Sequence, residues 1–158
     1  GGGQEANRRA GTENVAGIAG FGAAAESAQS VLAVAPLRDR LEATLLRLAP
    51  DARVFGAGAP RLDNTSCVSM PGVKAETQVM ALDLAGVCVS AGAACSSGKV
   101  QRSAVLDAMG VVPADAASAI RVSLGWNTEA SDIDRLIAAW RDLYIRVGKS
   151  DTDDARAA

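Results

Sequence analysis

The chain has 158 residues, of which 49% are hydrophobic and 22% charged, with a formal net charge of −2. This length and composition support one ordinary folded domain, and the small net charge argues against binding to nucleic acid or an anionic membrane through bulk charge. No apolar run in the sequence approaches the roughly 18 residues that span a bilayer. The absence of histidine excludes Cys-His and Ser-His catalytic pairs. The three cysteines are an odd number without metal-like spacing, which argues against a disulfide framework and against a zinc site. We therefore expect the protein in the reducing cytosol.

The first third of the chain is rich in glycine and alanine. Residues 1–12 form a polar loop, and Thr12 is a candidate start for a long helix over 13–33 that packs through small residues. Arg8 and Arg9 either cradle an anion at this helix start or form an ordinary solvated basic pair. Because the chain opens in this loop without an initiator methionine or a signal peptide, we expect a C-terminal piece of a longer protein.

The remaining elements follow from hydrophobic spacing and from the positions of proline and glycine. In chain order they are a helix at 36–50, strands at 53–56 and 65–70, a helix at 74–84 ended by Gly86, a very short strand at 87–89, a helix at 102–109, a helical turn at 113–117, a strand at 119–124, a last helix capped by Thr128, and a frayed tail from Ser150. Cys67, Cys88, Trp126 and Trp140 are interpreted as packed residues. This order predicts an α/β or α+β sandwich, with a small sheet covered by helices.

Residues 90–99 are almost entirely Gly, Ala and Ser around one thiol, Cys95. Side chains this small cannot build a core, so the segment is predicted to be a mobile surface loop, and such loops often carry function. Cys95 is either a reactive, accessible thiol or a small apolar residue packed against a turn, and exposure separates the two.

Arg121 lies at the centre of a strand whose other residues alternate between apolar and small. A guanidinium in this position needs a partner and can bind a carboxylate through two hydrogen bonds. The alternatives are a salt bridge to an acid of this chain, or an edge strand with Arg121 facing water.

Several segments together resemble cysteine desulfurases of the NifS/IscS type, in the class-V aminotransferase family. They are GGGQE (residues 1–5) with Arg9, GTEN (11–14), SAGAACSSG (90–98), IRVSLG (120–125) and NTE (127–129). These motifs occur in the family's order and span nearly the whole chain. Two departures are Ala91 and Ala93, where family members usually have serine at one or both positions, and Trp126, where a basic residue is frequent.

The resemblance implies the C-terminal small domain of the pyridoxal-phosphate aminotransferase (type I) fold, with 1–34 as a loop and linker helix, 35–149 as the small domain and 150–158 as the tail. It implies removal of sulfur from L-cysteine to give L-alanine. Cys95 would be the nucleophile that becomes a persulfide, Arg121 would hold the substrate carboxylate, and Thr12 would contact the cofactor phosphate.

The resemblance also implies partners: an iron–sulfur scaffold or another sulfur acceptor, and a second subunit in a homodimer. There would be no resident metal, only a transient iron–sulfur contact through the Cys95 persulfide. None of Lys74, Lys99 and Lys149 lies in the family's lysine motif, so we expect the chain alone to be inactive. Selenocysteine lyase, and a non-catalytic small domain for interaction or sulfur carriage, are the alternatives.

Overall fold

The computed structural model describes residues 2–28, 34–91 and 103–157, with side chains described as far as Val147. The chain divides into two compact units, Gly1–Val31 and Leu32–Ala158, and each is described by itself. The helices are α1 (Gln4–Asn7), α2 (Val15–Ser27), α3 (Ala35–Leu48), α4 (Ala75–Leu84), α5 (Ala104–Ala108), α6 (Pro113–Ala117) and α7 (Ala130–Ala157), and the strands are β1 (Thr65–Ser69), β2 (Ser90–Ala91) and β3 (Ala119–Ser123). Within the described ranges, no helix has the length and apolar character needed to cross a membrane.

The described part of the first unit consists of the one-turn helix α1 and the exposed helix α2. The helix α2 is capped by Asn14, whose side-chain Oδ1 accepts a hydrogen bond from the Gly17 amide at 3.0 Å. Thr12 is therefore not the cap, and its prediction as the helix start was wrong by two residues. The predicted tight packing of α2 is also not observed within the described unit, because none of its residues is buried and Phe21 is 77% exposed.

The second unit is built on a three-stranded antiparallel sheet in the order β1-β3-β2. β3 is central because it pairs with β1 from Thr65↔Ser123 to Ser69↔Ala119, and with β2 through Ser90↔Arg121 and Ala91↔Ile120. The edge-strand alternative for Arg121 is thereby excluded.

One face of the sheet carries the hydrophobic core, beneath α3, α4 and α7. Ile120 and Val122 of β3 point into this core because residues two apart in a strand share a face. The apolar stripe predicted for the last helix is confirmed, since α7 buries Ile133, Leu136, Trp140 and Leu143. Trp140 is fully buried and stacks on Tyr144 with ring centroids 5.4 Å apart.

Turn residues end the elements near where the sequence predicts. Gly86 and Gly110 follow α4 and α5 with φ of 76° and 72°, a conformation that favours glycine. Pro36 lies in the first turn of α3, where its missing N–H costs no hydrogen bond. Ser103 caps α5, because its hydroxyl accepts a hydrogen bond from the Leu106 amide at 3.3 Å.

Several local predictions differ from the structure. The strand predicted at 53–56 is reduced to one bridge between Val54 and Val68, and the strand predicted at 87–89 begins instead at Ser90. Thr128 was predicted to cap the last helix, but α7 begins at Ala130. The Thr128 hydroxyl instead accepts a hydrogen bond from the Gly125 amide at 2.8 Å, ahead of α7. The helix α7 continues to Ala157, where a frayed tail was expected.

Two residues predicted to be packed are exposed. Cys88 lies on the surface between α4 and β2, with its Sγ 3.9 Å from Oδ1 of Asp83. Trp126 is 82% exposed in the turn after β3. Both residues belong to short connections, where the apolar character of the side chain itself, and for Cys88 that of Val87 and Val89, gave the wrong burial.

Candidate functional site

The face of the sheet opposite the core carries a row of residues around Arg121. Arg121 of β3 is directly opposite Cys67 of β1 and directly opposite Ser90 of β2. Directly opposite residues in an antiparallel pair share a face, with Cβ atoms about 5 Å apart. The sheet therefore brings a thiol, a guanidinium and a hydroxyl into one line.

Phe55 extends this row beyond β1. The antiparallel bridge Val54↔Val68 places Phe55 beside Cys67, and the Phe55 amide donates a hydrogen bond to the Cys67 carbonyl at 2.8 Å. The ring is half-buried. We refer to Phe55, Cys67, Arg121 and Ser90 as the Arg121 row.

The Arg121 row forms one wall of a cavity of about 470 Å³, a size within the range of small-molecule sites. The opposite wall comes from α5 and its ends, through Ser103, Leu106 and Met109, and from Ala116 of α6. This second wall is mainly apolar, because α5 lines the cavity with Ala104, Val105 and the buried Leu106.

Arg121 is exposed to this cavity, and its guanidinium has no ion pair or hydrogen bond with any residue that the structure describes. The salt bridge considered from sequence is therefore not found in the described ranges. Arg121 is also the one charged side chain in the described lining of the cavity. The cavity consequently presents a positive charge without an internal counter-charge, an arrangement that suits an anionic ligand.

Cys67 is half-buried, where the sequence predicted a buried residue. Burial raises the pKa of the Cys67 thiol, and the positive charge of Arg121 offsets this only in part. The thiol is therefore neutral at physiological pH and does not pair with Arg121 as an anion.

Cys95 lies outside the described residues. Ser90, which precedes Cys95 in the chain, and Ser103, which follows it, both line the cavity. Within the described part of the chain, no group of three or more histidine, cysteine, aspartate or glutamate side chains is placed to hold a metal ion.

Thr12 belongs to the first unit and Arg121 to the second. Thr12 is exposed, three residues before α2 begins. Its neighbour Arg9 is used within its own loop, because Nη1 donates to the Gly11 carbonyl at 2.8 Å and Nη2 lies 3.5 Å from Oε1 of Glu5. This pairing favours an ordinary surface arginine over an anion cradle.

Pyridoxal phosphate, the cofactor implied by the resemblance, is held covalently by a lysine. None of the described cavity-lining residues is a lysine. Lys74 is exposed immediately before α4 and is not among the described residues that line the cavity. The described residues therefore provide a hydroxyl and a guanidinium that suit a phosphate and a carboxylate, but they do not fit covalent attachment of the cofactor.

Sequence reasoning identified Arg121 but missed three of its neighbours. Ser90 was treated as part of the cysteine loop, Cys67 as a core residue and Phe55 as part of a minor strand. Alternation within 65–70 already placed Cys67 on the face opposite Val68, and this assignment is confirmed. The pairing between strands, which alternation cannot supply, was the missing information.

Comparison with known proteins identifies related sequences over most of the chain. The family model described as aminotransferase class-V matches residues 2–136. A cysteine desulfurase of Cereibacter sphaeroides is 51% identical over 139 residues, which is 87% of this chain and 36% of that protein. A cysteine desulfurase of Trichormus azollae is 41% identical over 152 residues, 93% of this chain and 38% of that protein.

Solved structures agree with these relatives. The X-ray structure of a NifS-like protein from Rickettsia africae superposes with a TM-score of 0.75 at 34% identity, covering 91% of this chain and 38% of that one. The fold expected from the resemblance, a small α/β domain of the aminotransferase type, is confirmed. The chain thus spans between 36% and 38% of the length of the relatives it matches.

Proposed function

Because the chain belongs to the class-V aminotransferase family, we propose that it is part of a cysteine desulfurase, which removes sulfur from L-cysteine and leaves L-alanine. The observation that carries this proposal is the unpaired Arg121 guanidinium in a cavity flanked by both ends of the segment that contains Cys95. The cysteine desulfurases among the relatives support the choice of reaction within the family.

Arg121 binds the carboxylate of the substrate in this proposal. A planar guanidinium can donate two parallel hydrogen bonds to one carboxylate, which fixes orientation as well as position. No described acid competes for Arg121, and the neighbouring Cys67 thiol is neutral, so the positive charge is available to the ligand.

Cys95 is the nucleophile. Its thiolate attacks the sulfur of the bound cysteine, a sulfur–sulfur bond forms, the carbon–sulfur bond breaks, and the carbon takes a proton to become alanine. Cys95 follows Ala91 by four residues, and four extended residues span at most about 14 Å. Chain length therefore keeps this thiol within reach of the cavity that Ser90 lines.

The family is dependent on pyridoxal phosphate, which supplies the electron sink for cleavage of the carbon–sulfur bond. We assign the phosphate contact to Thr12, in the neighbouring subunit of a homodimer. The lysine comes from the part of the family fold that this chain does not span, and the 158 residues alone are inactive. The supporting observation is the absence of lysine from the described cavity lining.

The Cys95 persulfide passes its outer sulfur to an acceptor, for which an iron–sulfur scaffold protein is our proposal. Apart from Lys99, segment 90–99 consists of small residues, and such a segment suits a sulfur atom that must visit both a substrate site and a partner. The metal is cargo of the acceptor in this proposal, and we assign no resident metal to the chain.

The decisive test measures alanine release from L-cysteine by the chain assembled with the lysine-bearing part of its family fold. Cys95→Ala is expected to reduce alanine formation to background, and Cys88→Ala, which removes an exposed thiol, is the matched control. Arg121→Lys is expected to raise KM about tenfold, because a lysine cannot make the two-pronged contact. Unaltered alanine formation by Cys95→Ala would refute the assignment.

A second experiment tests whether the chain alone can hold the cofactor. The purified 158 residues are mixed with pyridoxal phosphate, and the absorbance near the edge of the visible range is recorded before and after removal of free cofactor. We expect no retained band. A retained band that disappears on replacement of Lys74, Lys99 or Lys149 would show that the chain carries its own attachment lysine.

A further inference from the structure

The side of β1 that faces away from β3 carries a short partner segment whose own outer edge is unpaired. The segment is joined to β1 by the bridge Val54↔Val68, the Phe55 N–H donates to the Cys67 carbonyl at 2.8 Å, and the Arg53 carbonyl accepts a hydrogen bond from β1 at 2.9 Å. Backbone groups alternate in direction along an extended chain, so the N–H and C=O of Val54 are turned away from β1. Neither Val54 group has a hydrogen-bond partner among the described residues, and we call this the Val54 edge.

The Val54 edge borders an open groove of about 540 Å³, which has apolar side chains on both faces of the sheet. Leu46 reaches the groove from α3, which covers the core face, and Met109 and Val112 reach it from the connection after α5, on the opposite face. These three side chains are 38%, 51% and 53% exposed. A strand laid along the Val54 edge would remove all three from water, which is favourable.

The groove offers no free charge to a ligand. Arg53 is the one charged residue in its described lining, and Nε of Arg53 lies 3.3 Å from Oδ2 of Asp115. The lining therefore suits uncharged, apolar side chains. The unpaired N–H and C=O of Val54 add a second requirement, because a ligand that covers them without hydrogen-bonding to them pays for their lost water. A lipid chain meets only the first requirement, whereas a polypeptide in extended conformation meets both.

We propose that this groove binds an extended segment of another protein, which adds a strand to the sheet at the Val54 edge. The backbone of the added strand accepts a hydrogen bond from the Val54 N–H and donates one to the Val54 carbonyl. Its central side chains are apolar on both faces and pack against Leu46 on one side and against Met109 and Val112 on the other. The site requires neither the cofactor, the substrate nor Cys95, so this proposal stands or falls independently of the proposed function.

The probe is the peptide acetyl-Lys-Thr-Val-Leu-Val-Thr-Lys-amide, whose centre is apolar on both faces of a strand. The comparison peptide has the same sequence with N-methyl groups on its three central residues, which removes backbone donors and keeps the apolar side chains. Binding to the 158-residue chain is measured by calorimetry. We expect saturable binding of the probe with a Kd of roughly 0.1–1 mM, and at least about tenfold weaker binding of the N-methylated peptide.

Hydrogen exchange followed by NMR reports on the Val54 edge directly. At a probe concentration about ten times Kd, exchange of the Val54 amide is expected to slow about tenfold, because the amide is then free only in the unbound chain. The amide of Asn127, in the turn after β3, serves as the internal comparison and should exchange at an unchanged rate.

Lysine substitutions test the two faces of the groove. Val112→Lys and Leu46→Lys each place a charge in the groove from an exposed position, and each is expected to weaken probe binding at least about tenfold. Val105→Lys is the matched control, because Val105 is 68% exposed and lies outside the lining of this groove. Circular dichroism checks the fold of each variant, and either groove variant suffices if the other does not fold.

The proposal is overturned if the probe shows no saturable binding, if the N-methylated peptide binds as tightly, or if exchange of the Val54 amide does not slow. Equal weakening by Val105→Lys and Val112→Lys would also refute it, because the peptide would then respond to added charge alone. Sedimentation of the chain without peptide tests the remaining occupant. Self-association that slows exchange of the Val54 amide and is lost in Val112→Lys would assign the edge to a second copy and would overturn the proposal.

Discussion

Glu42 on α3 is a charged side chain that the second unit buries, with 8% of its surface exposed. Its carboxylate accepts two hydrogen bonds from Arg61, with Nη1 2.5 Å from Oε1 and Nη2 2.6 Å from Oε2. Burial by itself would raise the pKa of Glu42, but the hydrogen bonds of Arg61, the neighbouring Ser66 hydroxyl and the positive charges of Arg61 and Arg38 together outweigh it and hold the pKa below its ordinary value. The same contact raises the pKa of Arg61.

Replacing Glu42 with glutamine keeps the size of the side chain and removes its charge. Removing one partner of a buried ion pair costs about 3–5 kcal/mol when the other charge stays dry. The Arg61 side chain is 21% exposed and can regain part of its hydration, so we expect a loss near 2 kcal/mol in the free energy of unfolding. For a chain of this length that corresponds to a decrease in Tm of about 4–8 °C.

The pH dependence of this loss has a definite sign. Because the folded-state pKa of Glu42 is lowered, its contribution is fully present above the unfolded-state pKa and disappears as pH falls through the folded-state value. Urea unfolding of the parent and Glu42→Gln chains should therefore differ by a constant amount near neutral pH and converge in acid.

The control is Asp142→Asn, in an exposed ion pair with Arg141 whose side chains are 59% and 49% exposed. Exposed pairs contribute about 0.5 kcal/mol or less, so this variant should unfold almost as the parent does. Equal losses in the free energy of unfolding for the two variants would show that burial does not set the contribution of the Glu42–Arg61 pair to stability. A difference in stability between the parent and Glu42→Gln that persists in acid would contradict the argument from the lowered pKa of Glu42.

Two further predictions concern other described residues. Gln78 is fully buried, and its Nε2 donates to the carbonyls of Val73 at 2.9 Å and Ser118 at 2.7 Å. Gln78→Leu leaves the Val73 carbonyl without this donor and the Ser118 carbonyl with the Met70 amide at 3.2 Å, so the free energy of unfolding in urea should fall by about 1–3 kcal/mol, while a neutral result would mean that water replaces the amide. Cys88 is exposed and Cys67 half-buried with a raised pKa, so a maleimide followed by mass spectrometry should label Cys88 before Cys67, and faster labelling of Cys67 would contradict the assigned burial.

Local signals in the sequence predicted most elements of the second unit. Pro36 lies in the first turn of α3, Gly86 and Gly110 follow the ends of α4 and α5, and the apolar spacing of the last helix predicts the buried face of α7. These features depend on one residue's backbone preference or on a periodicity of a few residues, which a short segment carries by itself. The same local reasoning failed at Cys88 and Trp126, whose exposure depends on what packs over them.

The candidate site was predicted in part. Alternation around Arg121 showed that a guanidinium lies on one face of a strand, and the resemblance to cysteine desulfurases added the roles of Cys95, Arg121 and Thr12. Of these three, only Arg121 is placed in the cavity by the described structure. The roles of Cys95 and Thr12 remain predictions for the experiments above.

The sequence by itself determined where Arg121 stands in its strand, where the helices α3 to α6 begin and end to within about two residues, and to which family the chain is related. Only the tertiary structure decided that Phe55, Cys67 and Ser90 stand in one row with Arg121, and that no described acid neutralises it. The physical reason is that strand order and register are set by contacts between segments far apart in the chain, while alternation reports only the two faces of a single strand.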